Sequence, residues 1–358
     1  MDKTLNQTLI LSCQDVQQII RYYGLDHVMD TLIERLQKAM ESFNPAQTVI
    51  PVRSGFHYSS PQPGLIEWMP LLDQRRQVII KVVGYHPRNP VVSGLPTIIS
   101  TVSAYDAGSG RLLGIMDGVL LTALRTGAAS AVASRAMANP ESATLGLIGC
   151  GTQAVTQLHA LSRVFPVKKV LLYDIDPGAV QSFPDRCTSF ANGLEMKSGG
   201  IADIVQESDI LCTATSIEVG AGPLFRKLET KPHIHINAIG SDFPGKTELP
   251  EDLLRQSFVC PDFRDQAVLE GECQQLLPED IGPDIVNVLQ NPGKYKHIRQ
   301  QRSVFDSTGW ALEDHVALEL FMEYAAKLDL GTLVDIESIP DVANNPYHFV
   351  PEQVIKLS

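Results

Sequence analysis

Residues 144–154 read T-L-G-L-I-G-C-G-T-Q-A, an apolar run that breaks into a glycine turn. The apolar part, 145–148, predicts a buried strand, and a helical pattern follows over 155–164. Strand, glycine turn and helix is the order of a dinucleotide-binding βαβ unit. In such a unit Gly149 allows the tight turn and Gly151 lets the backbone approach a pyrophosphate.

Three further features complete this pattern. Ala154 stands at the third small position, where a helix packs closely on its strand. The start of the helix offers free N–H groups and a positive dipole end to phosphates. A second predicted strand, 169–173, ends in Asp174, about twenty residues past the turn, where an acid meets the adenosine ribose. Because a carboxylate repels a 2′-phosphate, the sequence predicts NAD rather than NADP as cofactor.

Composition places the chain among ordinary globular proteins. Its 358 residues are enough for two domains, and 44% are hydrophobic and 20% charged. The formal net charge of −12 argues against nucleic acid as a partner, since no basic groove is encoded. No apolar run approaches the roughly 20 residues that a membrane span needs.

The N-terminal residues and the cysteines also indicate an ordinary globular protein. The first residues, M-D-K-T, lack the apolar core of a secretion signal, so we expect a cytoplasmic protein. Six cysteines show no C-x-x-C spacing and are expected to be reduced and mostly buried. His233 and His235 alternate on a predicted strand without nearby ligands, and we predict no metal site.

The first part of the chain predicts an α+β region. A short strand at 8–11 precedes helical patterns over 14–23 and 26–43. Short strands then follow, with a hairpin turn at Gly108–Gly110. They cover 48–52, 65–70, 77–83, 97–105 and 111–116. A long helix rich in small residues, 118–139, leads into the next region.

Strands and helices alternate from there on, which predicts a parallel sheet. The predicted strands are 144–149, 169–174, 209–214, 233–239 and 257–261, and the helices are 152–164, 177–187, 199–206 and 250–255. After 304–306 comes a strong helix, 311–328, and a Pro- and Asn-rich tail expected to fold back on the first domain. We therefore predict an α/β protein: a Rossmann-type doubly wound parallel sheet over 128–319, plus an α+β substrate-binding and dimerisation domain of 1–127 with 320–358.

Several segments line up with one family. They are I-E-W-M-P at 66–70, K-V-V-G-Y-H-P at 81–87, A-L-R-T-G at 123–127, the glycine turn at 149–154, N-A-I-G-S-D-F-P-G-K-T-E-L at 237–249 and F-D-S-T-G-W-A-L-E-D at 305–314. Together they resemble the ornithine cyclodeaminase and mu-crystallin family, and cyclodeaminases proper more than the wider group. The P-G-K-T-E-L run is the most specific part.

An amino-acid substrate needs cations for its carboxylate. Lys81 and Arg125 each lie inside an apolar run, where an unpaired charge is costly, so a surface ion pair is the weaker reading. Arg53 is a third candidate. The loop between Arg53 and Glu67 is longer than in the family, so the alignment with the family residue is open between Arg53 and His57 or a neighbour. The resemblance adds Met69 to the substrate-binding residues.

Two acids are candidates for contact with substrate amines. Glu67 lies on a half-buried strand, where it is either an ammonium ligand or a solvated residue. Asp242 follows a strand that ends at the carboxyl edge of the parallel sheet, where ligands of such sheets bind. It is the candidate base for the substrate amine, with a helix N-cap as the plainer reading.

The resemblance also implies cofactor contacts, carried over by motif. They are Thr97, Arg125, Thr126, Gly149, Gly151, Thr152, Gln153, Asp174, Thr215, Asn237, Ala238, Lys246 and Ser307, with Thr215 the loosest match.

The activity that the resemblance implies is cyclisation of L-ornithine to L-proline with loss of ammonia, a lyase reaction of proline biosynthesis in which NAD takes and returns one hydride. Lysine cyclodeaminase, giving pipecolate, is an alternative that only pocket depth separates. A ketimine reductase or amino-acid dehydrogenase and a non-catalytic mu-crystallin-like binding protein are further alternatives. The family resemblance also implies a homodimer.

Overall fold

The computed structural model describes residues 7–74, 76–226, 229–340 and 342–350. Its strands form two sheets, one mixed and one parallel. In chain order the strands are β1 (Thr8–Leu11), β2 (Thr48–Val49), β3 (Ser54–Tyr58), β4 (Gly64–Asp73), β5 (Gln77–Tyr85), β6 (Ile98–Asp106), β7 (Leu112–Asp117), β8 (Thr144–Ile148), β9 (Lys169–Tyr173), β10 (Glu195–Ser198), β11 (Ile210–Thr213), β12 (His235–Ala238), β13 (Phe258–Pro261), β14 (Ser303–Asp306) and β15 (Thr332–Val334).

Helices connect these strands and fill the space between the sheets. They are α1 (Cys13–Tyr23), α2 (Leu25–Glu41), α3 (Asn89–Val92), α4 (Val119–Met137), α5 (Thr152–Val164), α6 (Pro177–Arg186), α7 (Ile201–Glu207), α8 (Glu251–Arg255), α9 (Arg264–Ala267), α10 (Ile285–Gln290), α11 (Pro292–Tyr295) and α12 (Ala311–Leu328), with 3-10 turns at Glu272–Gln275 and Lys296–Gln300. None of the helices in the described ranges is long and apolar enough to cross a membrane.

The second sheet confirms the predicted doubly wound fold. Its order is β10-β9-β8-β11-β12-β14-β13, and each neighbouring pair is parallel. The chain moves outward from β8 in one direction to β9 and then restarts on the other side at β11. Ligands of such sheets bind where the order reverses, at the carboxyl ends of the strands.

The first sheet is mixed. Its order is β15-β1-β7-β6-β5-β4-β2, and β3 pairs with β4 beside this path. β1 runs parallel to β7, and the remaining pairs are antiparallel. The strand β15 confirms that the tail folds back, because it pairs with β1.

The helix α4 joins the two sheets. Small residues let it approach α5 closely: a Cβ on Gly127 would lie 2.5 Å from the carbonyl oxygen of Thr156. The other face of α4 packs with α2 and α12 in the largest hydrophobic core. α12 also packs on β4 and β5, so the helix that follows the parallel sheet returns to the first sheet. The exact domain boundaries at 127 and 319 stay a prediction.

Local signals explain what the sequence predicted and what it missed. Ser12 caps α1 in a reciprocal pair with Asp15, a signal that fixes the start of the helix. The strand β3 was not predicted, because its sequence S-G-F-H-Y has no apolar alternation. β10 was missed for the same reason, and β12 begins at His235 rather than at 233. All six cysteines are free, and only Cys13 is exposed, as predicted.

Candidate active site

The glycine turn after β8 has the geometry that its sequence predicted. Gly149 has a φ of +92°, and a Cβ there would lie 2.6 Å from the carbonyl oxygen of Ala214. Gly151 is the N-cap of α5 and supplies no side-chain cap to it. A Cβ on Gly151 would meet no other atom within 4 Å. The free N–H groups of the first helical turn are thus open to an anion, which fits a pyrophosphate.

The acid after β9 lies beside this turn. One carboxylate oxygen of Asp174 accepts the backbone N–H of Cys150 at 2.7 Å, and the other accepts that of Asp176 at 2.9 Å. Burial and the negative charge of Asp174 raise the pKa of the Cys150 thiol to about 12, so this cysteine stays protonated. These bonds hold the carboxylate of Asp174 beside the turn, and its contact with a ribose stays a prediction.

A cavity of about 90 Å³ opens between the two sheets, beside the turn. It contains both predicted acids and all three predicted cations. The predicted residues that line it are Arg53, Glu67, Met69, Lys81, Arg125, Thr126, Gln153, Asp242 and Ser307. Residues that were not predicted complete the wall: Leu65, Val83, Tyr85, Ile98, Thr122, Ile239, Phe243, Thr308 and Gly309.

Lys81 and Arg125 form one charged cluster in this wall, and both are buried. The Nζ of Lys81 and the Nε of Arg125 each donate to Asp314, at 3.0 Å. Arg125 also donates from Nη1 to Glu313 at 2.6 Å. Burial and the charge of Arg125 lower the pKa of Lys81 to about 8. These cations are therefore not surface ion pairs.

Arg53 joins two carboxylates on another part of the wall. Its Nη2 lies 2.6 Å from Glu270, and its Nη1 lies 3.6 Å from Glu67. Its guanidinium also donates to the carbonyl oxygen of Thr308. Burial raises the pKa of Glu270 to about 8. His57, the alternative to Arg53, instead contacts Glu67, with Nε2 3.1 Å from the carboxylate.

Asp242 lies in the loop after β12 and is ion-paired with Lys246 at 2.8 Å. Its side chain is 31% exposed, whereas that of Lys246 is only 4% exposed. Burial lowers the pKa of Lys246, but the charge of Asp242 and the phenol group of Tyr85 act against this, and the pKa is raised overall. Asp242 does not cap the short helix α8, whose N-cap is Pro250.

Buried carboxylates hold the loop that carries Asp242. Glu248 accepts the backbone N–H of Thr215 at 2.8 Å and that of Gly240 at 2.9 Å. Glu272 accepts the N–H of Glu248 at 2.7 Å, and Asp306 accepts the N–H of Glu272 at 2.9 Å. The ends of β11, β12 and β14 are thereby tied together around the site.

The remaining predicted cofactor residues lie outside the cavity wall. Thr215 donates its hydroxyl to Glu248 at 2.6 Å. Asn237 and Ala238 are fully buried on β12, and the Asn237 amide donates to Ser134 at 3.0 Å. Thr97 precedes β6, and Thr152 begins α5. Their contacts with a cofactor stay predictions.

Glu270, Glu313 and Asp314 are the charged residues of the site that sequence reasoning missed. Glu313 and Asp314 stand at the end of the segment 305–314, which was noted for its resemblance without a role for either acid. An apolar helix that begins with two acids was the available signal. Glu270 lies in V-L-E-G-E, where no motif marks it.

Known proteins share this arrangement over nearly the whole chain. The sequence model of the ornithine cyclodeaminase/mu-crystallin family matches residues 7–328. An L-lysine cyclodeaminase of Streptomyces rapamycinicus is 40% identical over 342 residues, which are 95% of this chain and 99% of that protein. An ornithine cyclodeaminase of Agrobacterium tumefaciens is 29% identical over 97% of this chain and 95% of its own length.

Solved structures agree with the sequence relatives. A lysine cyclodeaminase, described for its recognition of L-lysine, L-ornithine and L-2,4-diaminobutyric acid, matches with a TM-score of 0.92 and 46% identity over 96% of this chain and 99% of that one. An archaeal alanine dehydrogenase dimer with bound NAD matches with a TM-score of 0.80 and 28% identity, over 92% of this chain and all of that one. Since the match spans both sheets and the cavity between them, the chain belongs to the ornithine cyclodeaminase/mu-crystallin family.

Proposed function

We propose that this protein is an NAD-dependent cyclodeaminase that converts L-lysine to L-pipecolate and ammonia. The observation that carries the proposal is one cavity with two buried cations, Lys81 and Arg125, and two carboxylates, Glu67 and Asp242. A diamino acid has one carboxylate for the cations and two amines for the acids. The lysine cyclodeaminase relatives, at 40% and 46% identity, favour lysine.

L-Ornithine, which would give L-proline, is the second candidate substrate. The Agrobacterium ornithine cyclodeaminase, at 29% identity, supports this substrate, and the P-G-K-T-E-L run after Asp242 fits a cyclodeaminase of either kind. The two substrates differ by one methylene, which is worth only about 10- to 200-fold in discrimination by an apolar pocket. We therefore expect L-ornithine to be a substrate as well, with a lower kcat/KM than L-lysine.

The buried cations and the two acids have different tasks in this reaction. Lys81 and Arg125 hold the α-carboxylate and so orient Cα. Asp242, the more exposed acid, takes a proton from the α-amine. Glu67 takes one from the ω-amine, which can attack Cα once the hydride has been removed from it, and Asp242 returns its proton to the α-nitrogen as ammonia leaves. Leu65, Val83 and Ile239 keep this part of the wall apolar and exclude water from the imine stage.

The cofactor would be held at the parallel sheet. The N–H groups at the start of α5 face the pyrophosphate, Asp174 accepts from the ribose, and the buried Ser307 hydroxyl, which has no partner among the described residues, lines the cavity. NAD held there would supply reversible hydride transfer at Cα of the substrate. Asp174 selects NAD over NADP by repulsion of a 2′-phosphate.

The experiment that tests the proposal traces the α-nitrogen of the substrate. Protein with NAD is incubated with L-lysine or L-ornithine labelled with ¹⁵N at the α-position, and ammonia, cyclic product and NADH are measured. The expected result is labelled ammonia, unlabelled cyclic product and no accumulation of NADH, with the higher kcat/KM for lysine. Label kept in the product would show that the ω-amine is lost. NADH that rises in step with ammonia would instead identify an amino-acid dehydrogenase of the same fold.

We also propose that two copies pair through the first sheet. The face of β3–β6 that points away from the helices exposes Phe56, Ile66, Val82 and Ile99, at 68%, 42%, 40% and 40%. Exposed apolar side chains that share one face of a sheet are typical of a protein interface. Light scattering should give a dimer for the wild type and a monomer for Val82→Lys. A monomeric wild type would contradict the proposal.

A further inference from the structure

One buried carboxylate links the two cations of the cavity wall. Asp314 lies in the first turn of α12 and is fully buried. Its Oδ1 accepts from the Nζ of Lys81 and from the Nε of Arg125, both at 3.0 Å. Its Oδ2 lies 2.9 Å from the same Nζ. Lys81 comes from β5 and Arg125 from α4, so one oxygen atom fixes two cations from different elements.

The two cations need such a link because they are buried side by side. Only 1% of Lys81 and 5% of Arg125 is exposed, and two like charges at low solvent exposure repel each other strongly. The first turn of a helix favours a negative charge, so α12 supplies a suitable place for the acid between them. Glu313, the preceding residue, pairs with Arg125, whereas the described ion pair of Lys81 is with Asp314.

The cluster leaves donors for a ligand on the cavity side. Among the described residues, the Nη2 of Arg125 has no hydrogen-bond partner, and both cations line the cavity. The lack of a side chain at Gly309 leaves room for the guanidinium, since a Cβ there would lie 3.0 Å from Nη1 and Nη2. A carboxylate that enters the cavity therefore meets a guanidinium and an ammonium group already held in place.

We propose that Asp314 is a positioning residue that holds Lys81 and Arg125 at the spacing and charge required to receive the α-carboxylate of the substrate. The proposal rests on the proposed function for the identity of the ligand, an α-amino acid. Asp314 does not touch the substrate in this arrangement. It acts on affinity for the carboxylate through the two cations.

The test combines Asp314→Asn with removal of the substrate carboxylate. The affinity of the NADH-bound protein is measured by calorimetry for L-lysine and for L-lysinamide, which lacks the negative charge. We expect Asp314→Asn to lower the affinity for L-lysine about 10- to 100-fold, the range for loss of a hydrogen bond to a charged group. The affinity for L-lysinamide should change by less than about twofold. The affinity for NADH should not change, and KM for L-lysine should rise more than kcat falls.

Glu323→Gln is the matched control. Glu323 lies on the same helix and pairs with Arg35 at 2.5 Å, away from the cavity wall, so it should affect neither ligand. If Asp314→Asn does not fold, Asp314→Glu keeps the charge but displaces it, and L-lysine should again lose more affinity than L-lysinamide. Equal losses for both ligands, or no loss for L-lysine, would overturn the proposal.

Binding also separates this proposal from the proposed function. If the wild type prefers L-lysine over L-lysinamide and Asp314→Asn removes that preference, the positioning role holds even where no ammonia is released. If ammonia is released but the preference survives Asp314→Asn, the reaction stands and the role of Asp314 fails.

Discussion

The two sheets build their parts of the site in different ways. At the parallel sheet, the glycine turn and the start of α5 are consecutive in sequence, and Asp174 follows on the next strand. At the mixed sheet, the wall takes Glu67 and Lys81 from neighbouring strands, and Asp314 from α12 holds Lys81. A local motif therefore defines the proposed nucleotide site, whereas the proposed substrate site forms only once distant segments have packed.

The largest expected effect tests the residue at which the two halves meet. Asp242→Ala should lower kcat about 10²- to 10⁴-fold, the usual contribution of a general base, and leave NAD affinity nearly unchanged. Ammonia release and NAD titration measure the two quantities. Ammonia release near the wild-type rate would show that the base lies elsewhere. Asp252→Ala, an exposed acid on α8, serves as the control.

Substitutions of two nearby glycines test whether the glycine turn alone forms the proposed nucleotide site. Gly151→Ala should fold normally, because a Cβ meets no other atom within 4 Å. It should lower the affinity for NAD about tenfold or more, because the backbone at this position approaches a phosphate. Gly149→Ala should instead lower the free energy of unfolding by about 1–3 kcal/mol, because φ is +92° and Ala214 is too close.

Thermal unfolding and NAD titration of both variants separate these effects. A Gly151→Ala protein that binds NAD like the wild type would place the pyrophosphate elsewhere.

Asp174→Ser should reduce the preference for NAD over NADP about tenfold, since it removes both a charged acceptor for the ribose and the repulsion of a 2′-phosphate. Fluorescence titration with both reduced nucleotides gives the ratio. The neighbouring Asp176→Ser, which loses a helix-capping acid but keeps an N-cap side chain, should leave the ratio unchanged. Tighter binding of NADP by the wild type would contradict the assignment.

The smallest effect concerns pH at the mixed sheet. Burial and Arg125 lower the pKa of Lys81 to about 8, so Lys81 is charged below this pH and loses its proton above it. Affinity for the cyclic amino-acid product should therefore fall roughly three- to tenfold from pH 7 to pH 9.5, as a charge-assisted bond becomes neutral. In Lys81→Arg the fall should disappear, because arginine keeps its charge. A wild-type affinity that does not change over this range would show that Lys81 does not bind the carboxylate.

Much of the fold was predictable because its signals are short-range. Apolar strands such as 145–148, the alternation with helices and the cap at Ser12 are each visible within a few residues. The strand β3 was not predicted because its sequence has no apolar alternation and its pairing with β4 stabilises it. The return of α12 to the first sheet likewise depends on packing with α2 and α4.

The sequence by itself determined a parallel sheet with a glycine turn, and it predicted an acid for the ribose and a set of cations and acids that a family resemblance could place. Only the tertiary structure decided which charges meet: Lys81 and Arg125 on Asp314, and Arg53 between Glu67 and Glu270. The physical reason is distance along the chain. A turn or a strand is determined by adjacent residues, whereas a buried ion pair forms only where packing brings two remote side chains together and excludes water.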